Sequence, residues 1–218
     1  MKRSTICLLL SIVFMLSACS TTADSDNTPL AVCAPKAELT ITSSKEQVSE
    51  FISKNKNLIA LYDEDECYNI TPDFIADNSE FVIFMYDTPR ESFIMYDGDV
   101  YSIGDSFVGS AITSMALADI NKDSQHELYY TFIWGSGMPR SLIGYFDPAS
   151  KEITIFDFES LYGIMLTMNE AGDLCINYAA YPEGDSCVDF TIKSQDLLGT
   201  VVFDKGEITL NIDEGKIK

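Results

Sequence analysis

Residues 112–134 read ITSMALADINKDSQHELYYTFIW and contain the pattern that decides the fold. All but one of the residues in Leu128–Trp134 are apolar or aromatic, so an extended chain here presents apolar side chains on both faces. A strand of this kind belongs in the middle of a sheet, with other parts of the protein packed on each side. Ile112–Ala118 is a second strand candidate, and the short polar segment between the two runs predicts antiparallel pairing.

Further β-branched and aromatic runs lie outside this hairpin and are separated by short turn sequences. Asp97-Gly98 and Asp204-Lys205-Gly206 are typical of tight hairpins, which require antiparallel neighbours. The complete set of predicted strands is Leu58–Tyr62, Glu80–Tyr86, Ser92–Tyr96, Val100–Ile103, Ile112–Ala118, Leu128–Trp134, Ser141–Phe146, Glu152–Phe158, Gly163–Met168, Leu174–Ala180, Val188–Ile192, Thr200–Phe203 and Ile208–Ile212. We therefore expect a mainly β fold, an antiparallel meander that forms a sandwich or an incomplete propeller-like stack.

One short helix is predicted near the N-terminus of the folded body. Ser44-Lys45-Glu46-Gln47 has the form of a capping box, and Val48, Phe51 and Ile52 follow it at helical spacing. This apolar stripe predicts that the helix packs on one edge of the β-structure. Almost everything after residue 80 is expected to be strand or turn.

The composition excludes several classes of protein. An apolar fraction of 46% is that of a chain that can bury a core, which argues against intrinsic disorder. The 34 acidic and 14 basic side chains give a formal net charge of −20, which repels nucleic-acid backbones and acidic lipid headgroups. Cations are the expected partners, and no nucleic acid is expected.

The N-terminus has the layout of a secretory signal peptide. Met1-Lys2-Arg3 is basic, Ile6–Leu16 is apolar, and the small residues of Leu16-Ser17-Ala18-Cys19 lead directly into a cysteine. The apolar run is shorter than the roughly 18–20 residues that a spanning helix needs, which disfavours an uncleaved membrane anchor. The segment resembles the signal and lipobox of bacterial lipoproteins, and this resemblance implies cleavage before Cys19 and acylation of that cysteine.

A lipoprotein signal implies three segments and a location. Residues 1–18 would be the signal peptide, residues 19–32 the lipidated cysteine and a flexible polar tether, and residues 33–218 a single mainly β domain. The protein would then lie on the outer face of a bacterial cell envelope, held to the membrane by lipid. In a host with two membranes, the outer membrane is the expected one.

The four cysteines that remain after processing predict disulfides, because their number is even and the compartment is oxidising. Four cysteines allow three pairings, and the sequence does not decide among them. We favour Cys33–Cys67, which would fix the end of the tether, and Cys175–Cys187, which flanks a turn-forming stretch. A metal cluster is the alternative, and the chain has no CxxC pair to support it.

Residues 119–127 carry oxygen-bearing side chains at alternate positions. The candidate ligands at positions 1, 3, 5 and 9 are Asp119, Asn121, Asp123 and Glu127, and Gln125 at position 7 would contribute its backbone carbonyl. Calcium takes roughly 6–8 oxygen ligands, and alternate residues of a tight loop can direct several oxygens at one centre. The sequence therefore predicts a calcium site. The alternative is an acidic hairpin turn that holds no metal.

The loop and its flanks are similar to the calcium loops of FG-GAP and VCBS-type repeats. An EF-hand is excluded because Tyr130 stands where its bidentate glutamate would be and strands flank the loop. Two positions depart from the family, since Ser124 replaces the usual glycine and Glu127 replaces the commoner aspartate. If position 6 needs a positive φ, serine costs on the order of 1 kcal/mol there. The resemblance implies a structural calcium ion.

Trp134 and Arg140 form a candidate ligand-binding pair beyond the strand that leaves the loop. The indole could stack on a ligand while the guanidinium binds an anion, and core packing of Trp134 is the alternative. Taken together, these features predict a lipid-anchored, calcium-stabilised binding domain without catalysis, whose partner is an envelope protein or glycan. The alternatives are a hydrolase that uses a carboxylate pair on an envelope polysaccharide or peptide, and an inhibitor or chaperone of an exported protein.

Overall fold

Strands dominate the computed structural model, which describes residues 45–54, 67–86, 91–104, 110–135, 140–179 and 197–217. In chain order the helices and strands are α1 (Lys45–Lys54), β1 (Cys67–Asn69), α2 (Asp73–Asn78), β2 (Val82–Tyr86), β3 (Glu91–Tyr96), β4 (Asp99–Ser102), β5 (Ser110–Ala118), β6 (Glu127–Trp134), β7 (Arg140–Asp147), β8 (Glu152–Ser160), β9 (Gly163–Met168), β10 (Leu174–Ala179), β11 (Leu197–Asp204) and β12 (Glu207–Ile212). A short 3-10 turn at Glu214–Lys216 follows β12. Among the residues of these ranges, no helix is long and apolar enough to cross a bilayer.

Consecutive strands pair antiparallel in three groups of four. We call β1–β4 the first meander, β5–β8 the second meander and β9–β12 the third meander. A parallel bridge between Glu91 of β3 and Ser110 of β5 joins the first two into one eight-stranded sheet, and the third forms a separate sheet. The prediction of a mainly β, antiparallel meander fold with a short N-terminal helix is confirmed.

The second meander contributes side chains to two large apolar clusters. Tyr130 and Phe132 of β6 belong to a cluster shared with Ile83 of the first meander, which we call the first core. Tyr129 of β6 belongs to a cluster shared with Ile164 of the third meander, which we call the second core. Burying each such side chain contributes about 1.5–3 kcal/mol. Because β6 pairs with β5 and β7 and feeds both cores, it is the central strand that its sequence predicts.

Helix α1 packs where its apolar stripe predicts. Phe51 is fully buried and stacks on Phe84 with ring centroids 4.3 Å apart, and its ring centroid lies 5.5 Å from that of Phe93. The helix contacts β1, the outermost strand of the first meander. The Val48, Phe51 and Ile52 stripe therefore joins the helix to this edge of the sheet.

Eleven of the predicted strands coincide with β2–β12, with differences at their ends. The predicted strands Leu58–Tyr62 and Val188–Ile192 lie outside the described residues. Strand β11 begins at Leu197, three residues before its predicted start, because Gly199 continues the strand. A Cβ at Gly199 would lie 2.5 Å from the carbonyl oxygen of Asn211, so the glycine permits the close approach of β12.

Two short elements were not predicted. Strand β1 has three residues and helix α2 has six, and neither length shows a clear period in the sequence. The backbone of Pro72 is extended at the N-terminal end of α2, and Ile75 is its fully buried residue. Tertiary packing rather than local pattern therefore fixes both elements.

The predicted disulfides are wrong, since Cys67 and Cys175 both carry free thiols. Cys33 and Cys187, their predicted partners, lie outside the described residues. Burial raises the pKa of the Cys67 thiol to about 12, so it stays protonated and packs as a small apolar group beside Phe84. The Cys175 thiol donates to the Asp173 carbonyl at 3.4 Å, and burial raises its pKa as well. A protonated thiol is a poor nucleophile for disulfide formation.

Candidate metal centre

The acidic loop joins β5 to β6, and the strand register brings its two ends together. Ala118 and Glu127 are opposite each other at the end of the β5–β6 pair, so Asp119 begins the loop next to the residue that closes it. Carboxylate oxygens of Asp119, Asp123 and Glu127 all lie within 4.8 Å of one another. The sequence-predicted convergence of these three side chains is therefore present.

Backbone N–H groups of the loop hold its carboxylates in place. Asp119 accepts from the N–H of Asp123 through Oδ1 and from the N–H of Ser124 through Oδ2, both at 3.0 Å. Asn121 Oδ1 also accepts from the Asp123 N–H, at 2.9 Å, and its Nδ2 donates to Asp123 Oδ2 at 3.3 Å. The Gln125 N–H donates to Asp123 Oδ1 at 2.8 Å. These bonds fold the chain into consecutive tight turns around the acidic side chains.

The backbone of the loop twice enters the left-handed region. Lys122 has φ 65° and Ser124 has φ 72°. Position 6 of the loop, Ser124, thus has the positive φ at which a non-glycine residue costs about 1 kcal/mol or more. The strained backbone is what wraps the chain tightly enough for alternate residues to face one centre.

Glu127 is the buried member of the group. Its side chain is fully buried, and its Oε2 accepts from the Ile120 N–H at 3.0 Å and from the Tyr129 hydroxyl at 2.9 Å. Its Oε1 is buried and has no hydrogen-bond partner among the residues that the structure describes. An unpaired buried oxygen on a carboxylate is costly, because the charge loses its hydration without compensation.

The pKa of the Glu127 carboxyl also reflects the cost of burying its charge. Burial raises the pKa of this carboxyl to about 7, although the donors Ile120 and Tyr129 act to lower it, and the charge of Asp119 raises it further. A cation at the centre of the group would favour the ionised form and supply the partner that Oε1 lacks. The site therefore has a buried acceptor that the protein alone does not satisfy.

The spacing of the oxygens allows the three carboxylates to share one metal ion. Calcium–oxygen distances of about 2.3–2.6 Å place two ligands on opposite sides of the ion about 4.6–5.2 Å apart. A separation of at most 4.8 Å among the three carboxylates is compatible with one such shell. Magnesium would hold opposite ligands about 4.2 Å apart in a rigid octahedron. The donor set, carboxylates and an amide oxygen, is of the hard type that calcium prefers.

The candidate ligands differ in exposure. Glu127 is buried, Asp119 and Asn121 are half-buried, and Asp123 is exposed, so the centre opens to solvent on the Asp123 side. The Gln125 side chain is exposed, which agrees with a contribution from its backbone carbonyl alone. Solvent can complete the coordination on the open side, as is common for calcium.

Tyr129 also belongs to the candidate metal centre, although the sequence did not predict it. It is two residues after Glu127 on the same strand, so both side chains lie on one face of β6. This spacing is a readable signal, although an aromatic residue in an apolar strand is equally typical of a core position. The residue is indeed in the second core, and its hydroxyl reaches the carboxylate as well.

Trp134 and Arg140 are register partners at the ends of β6 and β7. Trp134 is half-buried and packs against the first core, while the Arg140 guanidinium forms an ion pair with Glu159. The charge of Arg140 is thus already balanced, which favours the packing interpretation of Trp134. Ligand binding by this pair stays a prediction.

No family model matches the chain, and neither a curated protein nor a solved structure matches it. The geometry of the loop is therefore the basis for a functional assignment.

Proposed function

We propose that the β5–β6 loop binds one calcium ion and that the ion stabilises the domain. The ligands are the side chains of Asp119, Asn121, Asp123 and Glu127 and the backbone carbonyl of Gln125. The observation that carries this proposal is the Oε1 atom of Glu127, which is buried and unpaired beside two other carboxylates. A calcium ion would supply its missing partner and offset the repulsion among three negative charges.

The expected stabilisation is large enough to measure. Calcium that binds only the folded chain stabilises it by about 2.7 kcal/mol at a concentration 100 times the Kd. For a chain of about 200 residues this corresponds to a rise in Tm of roughly 5–10 °C. Thermal unfolding of the full-length chain in about 1 mM calcium and in excess chelator tests the proposal.

Two controls make the melting experiment specific. Glu127→Gln keeps the shape of the side chain but removes its charge, so it should abolish most of the calcium-dependent rise in Tm. Glu207→Gln removes an equally negative side chain at an exposed position of β12, and it should leave the rise intact. An unchanged Tm of the wild-type chain between calcium and chelator would remove the metal assignment.

We further propose that the domain is a lipid-anchored, non-catalytic binding module of a bacterial envelope, on the outer membrane if the host has one. The support is the lipobox at Leu16-Ser17-Ala18-Cys19, which would place the acidic domain outside the cytoplasm, where calcium is abundant. Its partner would be an envelope protein or glycan. Metabolic labelling with a fatty acid should mark the wild-type chain and leave the Cys19→Ser variant unlabelled, whereas equal labelling of both would exclude this anchor.

One observation bears on the hydrolase alternative. Glu127, with its raised pKa beside other carboxylates, has the electrostatics of a general acid. A general acid must come within hydrogen-bond reach of the bond that it protonates, and the Glu127 side chain is fully buried. This burial favours the metal site over catalysis.

A further inference from the structure

The Tyr129 hydroxyl is the donor that completes one side of the Glu127 carboxylate. Its oxygen lies 2.9 Å from Glu127 Oε2, and both side chains are fully buried. The Ile120 N–H donates to the same oxygen at 3.0 Å. With two donors on Oε2, the other oxygen, Oε1, is the one left for a cation.

The tyrosine ring is itself held firmly. It belongs to the second core, and its centroid lies 5.5 Å from that of Tyr145. A tyrosine hydroxyl carries its own proton, and here it donates that proton to Glu127 at 2.9 Å. A donor on a fixed ring restricts the orientation of the carboxylate that it bonds.

We propose that Tyr129 is a positioning residue of the calcium centre, whose hydroxyl orients Glu127 so that Oε1 faces the ion. This inference rests on the proposed calcium site. It also connects that site to the contact between the second and third meanders, because the same ring packs against residues of the third meander such as Ile164.

Calcium titration calorimetry on the full-length chain tests this role. Tyr129→Phe keeps the ring and removes only the hydroxyl, and it should weaken calcium binding about 10- to 100-fold, the range found when hydrogen-bond partners of metal ligands are removed. Tyr145→Phe is the matched control, since the neighbouring ring also loses a hydroxyl while the Tyr129–Glu127 bond stays. It should change the affinity less than about 3-fold.

A second control separates positioning from packing. Ile143→Val trims the same core without touching Glu127, so it should lower the Tm in chelator and leave the calcium affinity near that of the wild type. All titrations are made at least about 10 °C below the Tm of the weakest variant, with circular dichroism confirming that each is folded.

The outcomes distinguish the two proposals. Wild-type binding that Tyr129→Phe weakens far more than either control supports the positioning role. Wild-type binding that Tyr129→Phe leaves unchanged, or weakens no more than Ile143→Val does, overturns this inference and leaves the calcium site standing. A wild-type chain that binds no calcium overturns both.

Discussion

At the scale of single residues, the β5–β6 loop contains backbone strain at Ser124 that a glycine would relieve. Ser124 has φ 72°, a conformation that glycine adopts without penalty and serine does not. The family that the loop resembles usually has glycine at this position. The serine therefore lowers the stability of the turn, and we expect it to lower the affinity of the proposed calcium site as well.

Replacing Ser124 with glycine should stabilise the loop. Relief of left-handed strain is worth about 1 kcal/mol and is partly offset by the larger entropy of glycine in the unfolded chain. We expect a calcium affinity a few times higher, measured by titration calorimetry. Gln125→Gly is the matched control because Gln125 does not have a positive φ, and it should not improve binding. A weaker affinity for Ser124→Gly than for the wild type would contradict this account.

Glu91, the first residue of β3, is a second buried carboxylate and lies outside the β5–β6 loop. Its Oε1 accepts from the Ser102 hydroxyl at 3.2 Å, and its Oε2 is buried without a partner in the described part of the chain. Burial raises the pKa of Glu91 and outweighs the opposing effect of the Ser102 bond. The folded protein therefore keeps a proton that the unfolded chain releases at lower pH.

Because the pKa of Glu91 is raised in the folded protein, the free energy of unfolding should depend on pH. The free energy of unfolding should fall as pH rises from the ordinary glutamate range, near 4.5, through the raised pKa of Glu91, because only the unfolded chain ionises freely there. Glu91→Gln should remove this part of the slope. Relative to wild type it should be more stable at pH 8 and about equal at pH 4, because only wild type must then bury a charge.

Denaturant unfolding across pH 4–8 measures the Glu91 effect. Glu80→Gln, at an exposed position just before β2, is the control and should follow the wild-type curve. Parallel curves for Glu91→Gln and wild type would show that Glu91 has an ordinary pKa.

At the scale of elements, a serine of β5 forms a hydrogen bond with β9 and so adds a polar contact to the apolar packing between the second and third meanders. The β5–β6 register shifts between Ile112 and Ser114, and this bulge coincides with the Ser114 hydroxyl accepting from the Leu166 N–H at 2.9 Å. Ser114 also bonds Thr131 at 2.5 Å, and all of these groups are buried. The bond supports the contact of β9 with β5 and β6.

Removing that hydroxyl should loosen the third meander. Ser114→Ala leaves the Leu166 N–H buried and unpaired, which costs about 1–3 kcal/mol. Ser53→Ala, on the exposed face of α1, is the control and should cost less than about 0.5 kcal/mol. Denaturant unfolding gives both values, and a loss as small as that of the control would mean that the Ser114 bond is dispensable.

Local patterns predicted the strands well because most of them are amphipathic or wholly apolar. β6 is the clearest example, since its two apolar faces indicated a central position before any partner strand was known. β1 and α2 were missed because they are too short for a period. The predicted β11 starts late because the close approach of β12 at Gly199 is a tertiary contact, which local patterns do not encode. The bridge between β3 and β5 depends on contacts distant in sequence, which local patterns do not encode.

The residues of the candidate metal centre in the β5–β6 loop could also be predicted in part from the sequence. Alternate spacing identified Asp119, Asp123 and Glu127, because a tight loop repeats its orientation every second residue. Spacing did not show that Glu127 is the buried carboxylate of the group or that Tyr129 bonds it, since burial is a property of the assembled sheets. The predicted disulfides failed for a related reason, because a sequence does not show that a thiol such as Cys67 is enclosed by aromatic rings.

At the scale of the whole molecule, the metal loop closes the central hairpin of the fold. The β5–β6 pair that it joins supplies residues to both cores, so the first and third meanders each pack against strands that the loop ties together. With a net charge of −20, the chain gains further from binding a cation. We therefore expect calcium to raise the stability of the domain as one cooperative unit.

Isothermal titration of the full-length chain with calcium decides whether the β5–β6 loop holds the proposed ion. We expect one site per chain with a Kd of about 10 μM, binding about 100-fold weaker or absent in Glu127→Gln, and wild-type binding in Glu207→Gln. No saturable heat in the wild type, or an isotherm that Glu127→Gln leaves unchanged, would contradict the proposal.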